Sequence, residues 1–276
     1  MTLGMCRLAG RCAALVLLLA QFGSGSAGAV AAAEFDAAAA APSSAPSAAD
    51  WDGSIDLYRR GAFTTQKTWQ WCTAAGVQIV RNLVERDDDH SRRSQARYNA
   101  WMRDHNRYDL PASAGVDPTG WTAGLRHFVD DRYRLVASRS FGAAVRSAVT
   151  NLRRTNLPVA LTVAHGGHGW ILTGFSATAD PLVTDDFEVT TVRVVGPLYG
   201  RQSRDGYDMP PNTELTVRAL RRFLTAWRYE PLPMVWDGRF VTIQPVAEEP
   251  VEAVPPARPV SGPLWLVASV RSSGHR

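Results

Sequence analysis

The hydrophobic pattern changes its period halfway along the chain, and this change limits the fold class more than any other feature. In the first half, apolar side chains recur three or four positions apart, which predicts helices. In the second half, runs rich in valine, isoleucine, leucine and threonine predict strands. Helices are predicted over residues 72–86, 94–104, 141–154 and 216–227, with a short one near Trp121, and strands over residues 158–164, 168–175, 188–195 and 239–244. The order predicts an α+β domain whose N-terminal helical layer packs on a mostly antiparallel β-sheet.

The N-terminus has the pattern of a secretory signal peptide. Arg7 and Arg11 precede an apolar run over residues 13–20, and small residues follow as far as Ala33. This run is far shorter than the roughly 20 residues that a membrane-spanning helix needs. We therefore expect residues 1–33 to be removed, and the mature chain to be secreted to the extracellular space without stable membrane insertion.

Composition sets the expected limits of the folded domain. Residues 34–50 are alanine, proline and serine with few large apolar groups, which predicts a linker. The globular domain is predicted over residues 51–246, and residues 247–276 form a proline-rich C-terminal tail.

The charge of the chain gives no sign of a nucleic-acid partner. The whole chain carries 30 basic and 26 acidic residues, and two of the basic ones lie in the signal peptide. The remaining charges of both signs are interleaved, without a basic stripe that contains aromatic residues. We expect no nucleic-acid binding, and the sequence leaves the oligomeric state open.

Cys72 is the single cysteine outside the signal peptide, because Cys6 and Cys12 both precede residue 33. A lone thiol has no partner for an internal disulfide, so it is either packed inertly or kept for its chemistry. Cys72 stands where the first helical pattern begins, and the unpaired amides of a helix N-terminus favour a thiolate. Position alone leaves both interpretations open.

Two histidines could serve as a base for this thiol. His168 begins a predicted strand and has a glycine on each side, which leaves space for a thiol and a substrate. His165 lies in the preceding turn, so we favour His168 as the base. Gln66, six residues before the cysteine, could fold back and help to form an oxyanion hole with the Cys72 amide. Gln70 is too close to Cys72 in sequence to fold back in this way.

These segments resemble papain-like cysteine peptidases, and more closely their bacterial C39-like and AvrRpt2-like groups. The first segment is residues 66–80 (QKTWQWCTAAGVQIV), which resembles the glutamine and the cysteine-led helix of those groups. The second is residues 157–175 (LPVALTVAHGGHGWILTGF), which is similar to their histidine strand. The resemblance covers residues 63–244. It implies a papain-like fold with Cys72 as nucleophile, His168 as base and Gln66 as oxyanion donor.

The sequence departs from this family pattern after the strand over residues 188–195. Those families place an aspartate or asparagine there to orient the histidine, whereas this chain has Gly196. A carboxylate from elsewhere could replace it, the enzyme could work as a Cys-His dyad, or catalysis could be lost. The candidate replacements are Asp180, Asp185, Asp186 and Asp205.

The sequence therefore predicts a secreted thiol hydrolase that cleaves peptide or amide bonds in a peptide or protein substrate, with no cofactor and no metal. One alternative is an inactive papain-like module that binds peptides or cell-wall material in the same cleft. Another is an acyltransferase or amidase that uses the same thioester chemistry. The acidic run at residues 87–89 beside His90 is interpreted as a solvated loop. Three tryptophans could form a substrate-facing wall or belong to the core: Trp69, Trp71 and Trp170.

Overall fold

The computed structural model describes residues 51–201 and 208–247, which belong to one compact unit. The predicted signal peptide (1–33), the linker (34–50) and the tail from residue 248 onward lie outside the described residues. The described helices are α1 (Cys72–Glu85), α2 (Arg92–Asp104), α3 (Pro118–Phe128), α4 (Phe141–Thr155) and α5 (Val217–Leu220). The strands are β1 (Ser54–Asp56), β2 (Tyr133–Ser138), β3 (Val159–Val163), β4 (His168–Ala177), β5 (Val189–Val195), β6 (Thr213–Thr216) and β7 (Phe240–Pro245).

The starts of the four long helices differ in how their first amides are satisfied. Ser91, Asp117 and Ser140 each accept a hydrogen bond from an amide in the first turn of α2, α3 and α4. At α1 the capping position is held by Trp71, which has no side-chain bond to the helix. The first amides of a helix have no carbonyl partner within it. The start of α1, where Cys72 lies, therefore keeps amides that no capping side chain satisfies.

The seven strands form one antiparallel sheet in the order β2-β7-β3-β4-β5-β6, with β1 paired to the far end of β4. A tight hairpin joins β3 to β4 and pairs Val163 with His168 and Leu161 with Trp170. The histidine thus begins the longest strand, at the sheet end near the start of α1.

Successive side chains of each strand point to opposite faces of the sheet, and both faces of this sheet are apolar. One face, with Ala160, Ile171, Val195 and Ile243, packs against α1, α2 and α3. The opposite face, with Leu161, Leu172 and Val194 among others, packs against α4 and α5. The predicted α+β class with an antiparallel sheet is confirmed, and helices cover both faces of the sheet rather than one.

Some elements differ from the sequence prediction. β1, β2 and β6 are short strands that were not predicted, and the helix predicted over residues 216–227 ends after one turn at Leu220. Beyond that turn the backbone bonds to other segments: Phe223 accepts from the amide of Ala164, and Trp227 exchanges bonds with residues 238 and 239. These tertiary bonds replace those that would have continued the helix. Within the described ranges, no helix is long and apolar enough to cross a membrane.

Candidate active site

Cys72 occupies the first position of α1 and is a free, partly exposed thiol. The helix positions the sulfur at the uncapped end, where the helix dipole and the first amides favour negative charge. The small side chains of Ala74, Ala75 and Gly76 follow and are buried against the sheet. The start of α1 is therefore held firmly while the thiol stays accessible.

His168 lies against Cys72, and its ring is almost fully buried, with 7% of the residue exposed. Burial by itself would lower the pKa of the ring. Hydrogen bonds with the Asp208 carboxylate and the Cys72 thiol outweigh burial and raise the pKa of His168 to about 9. Nε2 bonds to Asp208, so Nδ1 is the ring nitrogen left to face the sulfur. The histidine is therefore charged at neutral pH.

Asp208 supplies the carboxylate that the sequence lacks at residue 196. Its side chain is fully buried and accepts from three donors: His168 Nε2 at 2.9 Å, Trp170 Nε1 at 2.6 Å, and the amide of Leu198. His168 and Trp170 lie two residues apart on β4, so their side chains point to the same face and reach one carboxylate. A bond from each side fixes the carboxylate and, through it, the plane of the imidazole.

The replacements predicted for Gly196 lie elsewhere. Asp180 forms a buried ion pair with Arg153, whose Nη2 lies 2.9 Å from its carboxylate. Asp185 and Asp186 are exposed in the loop before β5, and Asp205 lies outside the described residues. Sequence reasoning missed Asp208 because it follows Gly196 by twelve residues, far from the position at which the family pattern has its carboxylate. The available signal was the small residue at position 196, which leaves space for a side chain from elsewhere.

His165, the second candidate base, is exposed in the turn between β3 and β4 and bonds to the carbonyl of Ala226 through Nδ1. Ala164, His165 and Gly166 all have positive φ, a conformation that is unfavourable for residues other than glycine. Backbone bonds to residues 223 and 228 hold this turn. A Cβ at Gly166 would overlap the Trp227 ring. His165 thus belongs to a constrained turn that leads the chain into His168.

The two glutamines differ in where they point. Gln66 is buried, and its Nε2 donates to the carbonyls of Thr68 at 2.8 Å and Trp69 at 3.0 Å. These bonds shape the loop before Cys72. Gln70, in contrast, lines the cleft beside the thiol. The oxyanion role of Gln66 stays a prediction, since both of its amide hydrogens have backbone acceptors in this conformation.

A cleft of about 180 Å³ opens over Cys72 and His168. Trp121 forms its floor, wedged between α1 and β4: a Cβ at Gly169 would lie 2.7 Å from the Trp121 ring, and one at Gly76 would lie 3.1 Å from it. Trp69 and Trp227 form walls. Of the three tryptophans named from the sequence, only Trp69 lines the cleft, because Trp170 is buried against Asp208 and Trp71 packs against the helical core.

Residues 87–89 bond to their own loop and to Arg59 and Asn82, as expected for a surface loop. Among the residues that the structure describes, no group of three histidine, cysteine or acidic side chains could hold a metal ion. Comparison with known proteins found no matching family model, no curated relative and no solved structure of similar fold.

Proposed function

We propose that this chain is a secreted thiol hydrolase of papain-like architecture that cleaves peptide or amide bonds. One observation carries the proposal: a Cys72 thiol, a His168 imidazole and an Asp208 carboxylate form a connected chain at the mouth of a cleft. A nucleophile paired with a base, and a base oriented by a third group, is the arrangement that nucleophilic catalysis requires.

The expected reaction follows from the charges of the His168 ring and the Cys72 sulfur. With the pKa of His168 near 9, the ring holds a proton at neutral pH and pairs with the thiolate. The sulfur attacks the carbonyl carbon of the substrate, and the imidazolium gives its proton to the leaving amine as the C–N bond breaks. Water then attacks the thioester, and the imidazole takes its proton. The acid product leaves, and the sulfur regains its thiolate.

The oxyanion of the tetrahedral intermediate needs donors near the sulfur. The uncapped backbone amide of Cys72 is the first donor that we assign. Gln66 stays the predicted second donor, which requires one of its N–H groups to leave the carbonyl of Thr68 or Trp69. Gln66→Leu and Gln70→Leu variants separate the two glutamines, because only the true donor lowers kcat while labelling of the free thiol persists.

The alternative of an inactive binding module came from the absence of a carboxylate at residue 196. Asp208 removes that argument, because it bonds the far nitrogen of His168 at 2.9 Å. Acyl transfer to an acceptor other than water would use the same thioester, and it differs from hydrolysis only in the second step.

The pH dependence of Cys72 alkylation by iodoacetamide tests the proposal. In the mature protein we expect rapid labelling that persists well below pH 7, as a thiolate–imidazolium pair requires. The His168→Ala variant should lose the labelling below pH 7. His165→Ala is the matched control, and it should keep that labelling. A free cysteine ionises at a pKa of about 8.5. If the unaltered protein is labelled only near that pH, or if His168→Ala changes nothing, the proposed function is wrong.

A further inference from the structure

Gln95 is a fully buried side chain of α2 that bonds the loop before the nucleophile. Its Nε2 donates to the carbonyl of Thr65 at 3.1 Å and to Oε1 of Gln78, on α1, at 2.8 Å. Its Oε1 accepts from the amide of Lys67 at 2.8 Å. A buried amide group is costly unless its polar atoms are bonded, and this loop supplies two of the three partners. Gln95 therefore fixes the backbone around residue 66 from a position outside the cleft walls.

The peptide group between Thr65 and Gln66 extends this contact toward the sheet. Its carbonyl, which belongs to Thr65, accepts from Gln95. Its N–H, which belongs to Gln66, donates to the carbonyl of Pro197 at 2.8 Å. A second bond holds the same two segments together, because the Thr65 hydroxyl donates to the carbonyl of Tyr199 at 2.8 Å. One peptide group thus joins α2 to the segment that follows β5.

The peptide group between Pro197 and Leu198 completes the path to the candidate active site. Its carbonyl accepts from the first peptide group, and its N–H donates to the Asp208 carboxylate at 2.5 Å. The same carboxylate bonds His168 Nε2 at 2.9 Å. All the donors of this path, from Gln95 onward, point toward Asp208. The structure thus connects a buried glutamine on α2 to the histidine through two peptide groups and one carboxylate.

Hydrogen bonds in such a chain polarise one another, which strengthens each by about 10–30%. The N–H of Leu198 is therefore a stronger donor than an isolated amide, and it takes up more of the negative charge of Asp208. A carboxylate with less free charge attracts the imidazolium less strongly. A general acid works best when its pKa lies near the operating pH, and the pKa of His168 is already raised to about 9. The chain thus favours release of the proton from His168 to the leaving amine.

We propose that Gln95 is a positioning residue for His168, acting through these two peptide groups on the Asp208 carboxylate. It holds the carboxylate in place and disperses part of its charge, so that the imidazolium can give up its proton. This inference rests on the proposed function, because it treats His168 as the acid and base of that reaction.

The test measures the pKa of His168 by NMR titration in a Cys72→Ala protein. The titratable groups that act on the ring are Asp208 and Cys72, so this variant leaves the carboxylate as the partner under study. The measurement does not depend on the reactivity of the thiol. A failure of the labelling experiment would therefore count against the proposed function alone.

Backbone esters interrupt the chain one link at a time without changing a side chain. Replacing Leu198 by its α-hydroxy acid turns the N–H that bonds Asp208 into an ester oxygen, and it should raise the pKa of His168 by about 1. The same replacement at Gln66 keeps the N–H of Leu198 and removes only the bond to the Pro197 carbonyl. It should raise the pKa of His168 by about 0.2–0.5, because only the polarisation of the remaining donor is lost.

An ester at Leu57 is the matched control for the loss of one backbone bond. The amide of Leu57 donates to the carbonyl of Thr173 at 2.8 Å, the same length as the bond from Gln66 to Pro197. This control should destabilise the protein to a similar degree and leave the pKa of His168 unchanged. An effect on the pKa as large as that of the Gln66 ester would overturn the inference.

Gln95→Met removes the head of the chain and should raise the pKa of His168 by about 0.1–0.3. Gln95→Asn is the milder variant, which decides the question if Gln95→Met does not fold, and it should shift the pKa in the same direction. A purely structural role would instead lower the pKa, because a slack segment would let Asp208 move away from the ring. A lowered or unchanged pKa in the folded Gln95 variants would overturn the assignment of Gln95.

Discussion

The carboxyl group of Asp208 occupies the space beside Gly196 where a side chain at residue 196 would lie. A Cβ built on Gly196 overlaps the Asp208 carboxyl group. From this position the carboxylate reaches His168 Nε2 at 2.9 Å. The group that orients His168 is therefore supplied at the end of β5 by Asp208, twelve residues after Gly196, instead of by a residue at position 196.

Because the two positions share one space, we predict that an aspartate at residue 196 can replace the one at residue 208. Asp208→Gly should slow Cys72 labelling at pH 6 by about 10- to 100-fold, because a charged hydrogen-bond partner of His168 is lost. Gly196→Asp alone should destabilise the protein, since its side chain overlaps Asp208. The double variant Gly196→Asp/Asp208→Gly should recover at least part of the labelling rate, which iodoacetamide kinetics would measure.

A double variant no faster than Asp208→Gly would show that the position of the carboxylate matters beyond the space it fills. Thermal unfolding of the three variants provides the control. The double variant should be more stable than Gly196→Asp alone, because the overlap is gone.

Trp170→Phe should weaken the support of Asp208. It removes one of the three hydrogen bonds to a fully buried carboxylate, the 2.6 Å bond, and a hydrogen bond to a charged group contributes about 1.5–3 kcal/mol to the free energy of unfolding. With one donor fewer, the carboxylate should attract the imidazolium more strongly, so the pKa of His168 should rise. Denaturant unfolding and NMR titration of the ring would measure the two effects. A lower pKa for His168 would contradict this account.

Stability should fall as the pH rises above neutral. The pKa of His168 is raised from 6.5 to about 9, so folding favours the protonated ring. This contribution is fully present below pH 6.5 and is lost as the pH rises through 9, with a slope of up to about 1.4 kcal/mol per pH unit. Urea unfolding of the unaltered protein and of His168→Ala between pH 6 and 10 would measure it. The difference between them should shrink across this window.

Two glycine-to-alanine substitutions should change the free energy of unfolding in opposite directions. Gly169→Ala places a Cβ 2.7 Å from the Trp121 ring, so it should cost about 1–3 kcal/mol of unfolding free energy and disturb the cleft floor. Gly142→Ala, in the first turn of α4, meets nothing within 4 Å and should stabilise the protein by up to about 1 kcal/mol. Chemical denaturation of both variants checks the pair. Equal effects would mean that Trp121 can shift freely.

Local patterns were sufficient for much of the fold and for two members of the site. The starts of α1 and β4 follow from hydrophobic period, and they place Cys72 and His168 at element ends that the sequence marks. The helix predicted over residues 216–227 failed because residues 223–228 bond to the turn around His165, a partner nearly sixty residues away. The helix propensity of residues 216–227 contains no information about a bonding partner so far away in the sequence.

The sequence by itself determined the α+β class, the place of Cys72 at a helix start and the histidine strand, because these depend on the residue types present and on periods of two and 3.6 residues. Only the tertiary structure decided which carboxylate orients His168, where the amide of Gln66 points, and which tryptophans face the cleft. Each of these depends on contacts between segments far apart in the chain. Asp208 and Gly196 show the reason: a buried charge needs donors on several sides, and here β4 and the segment after β5 supply them only once the sheet has formed.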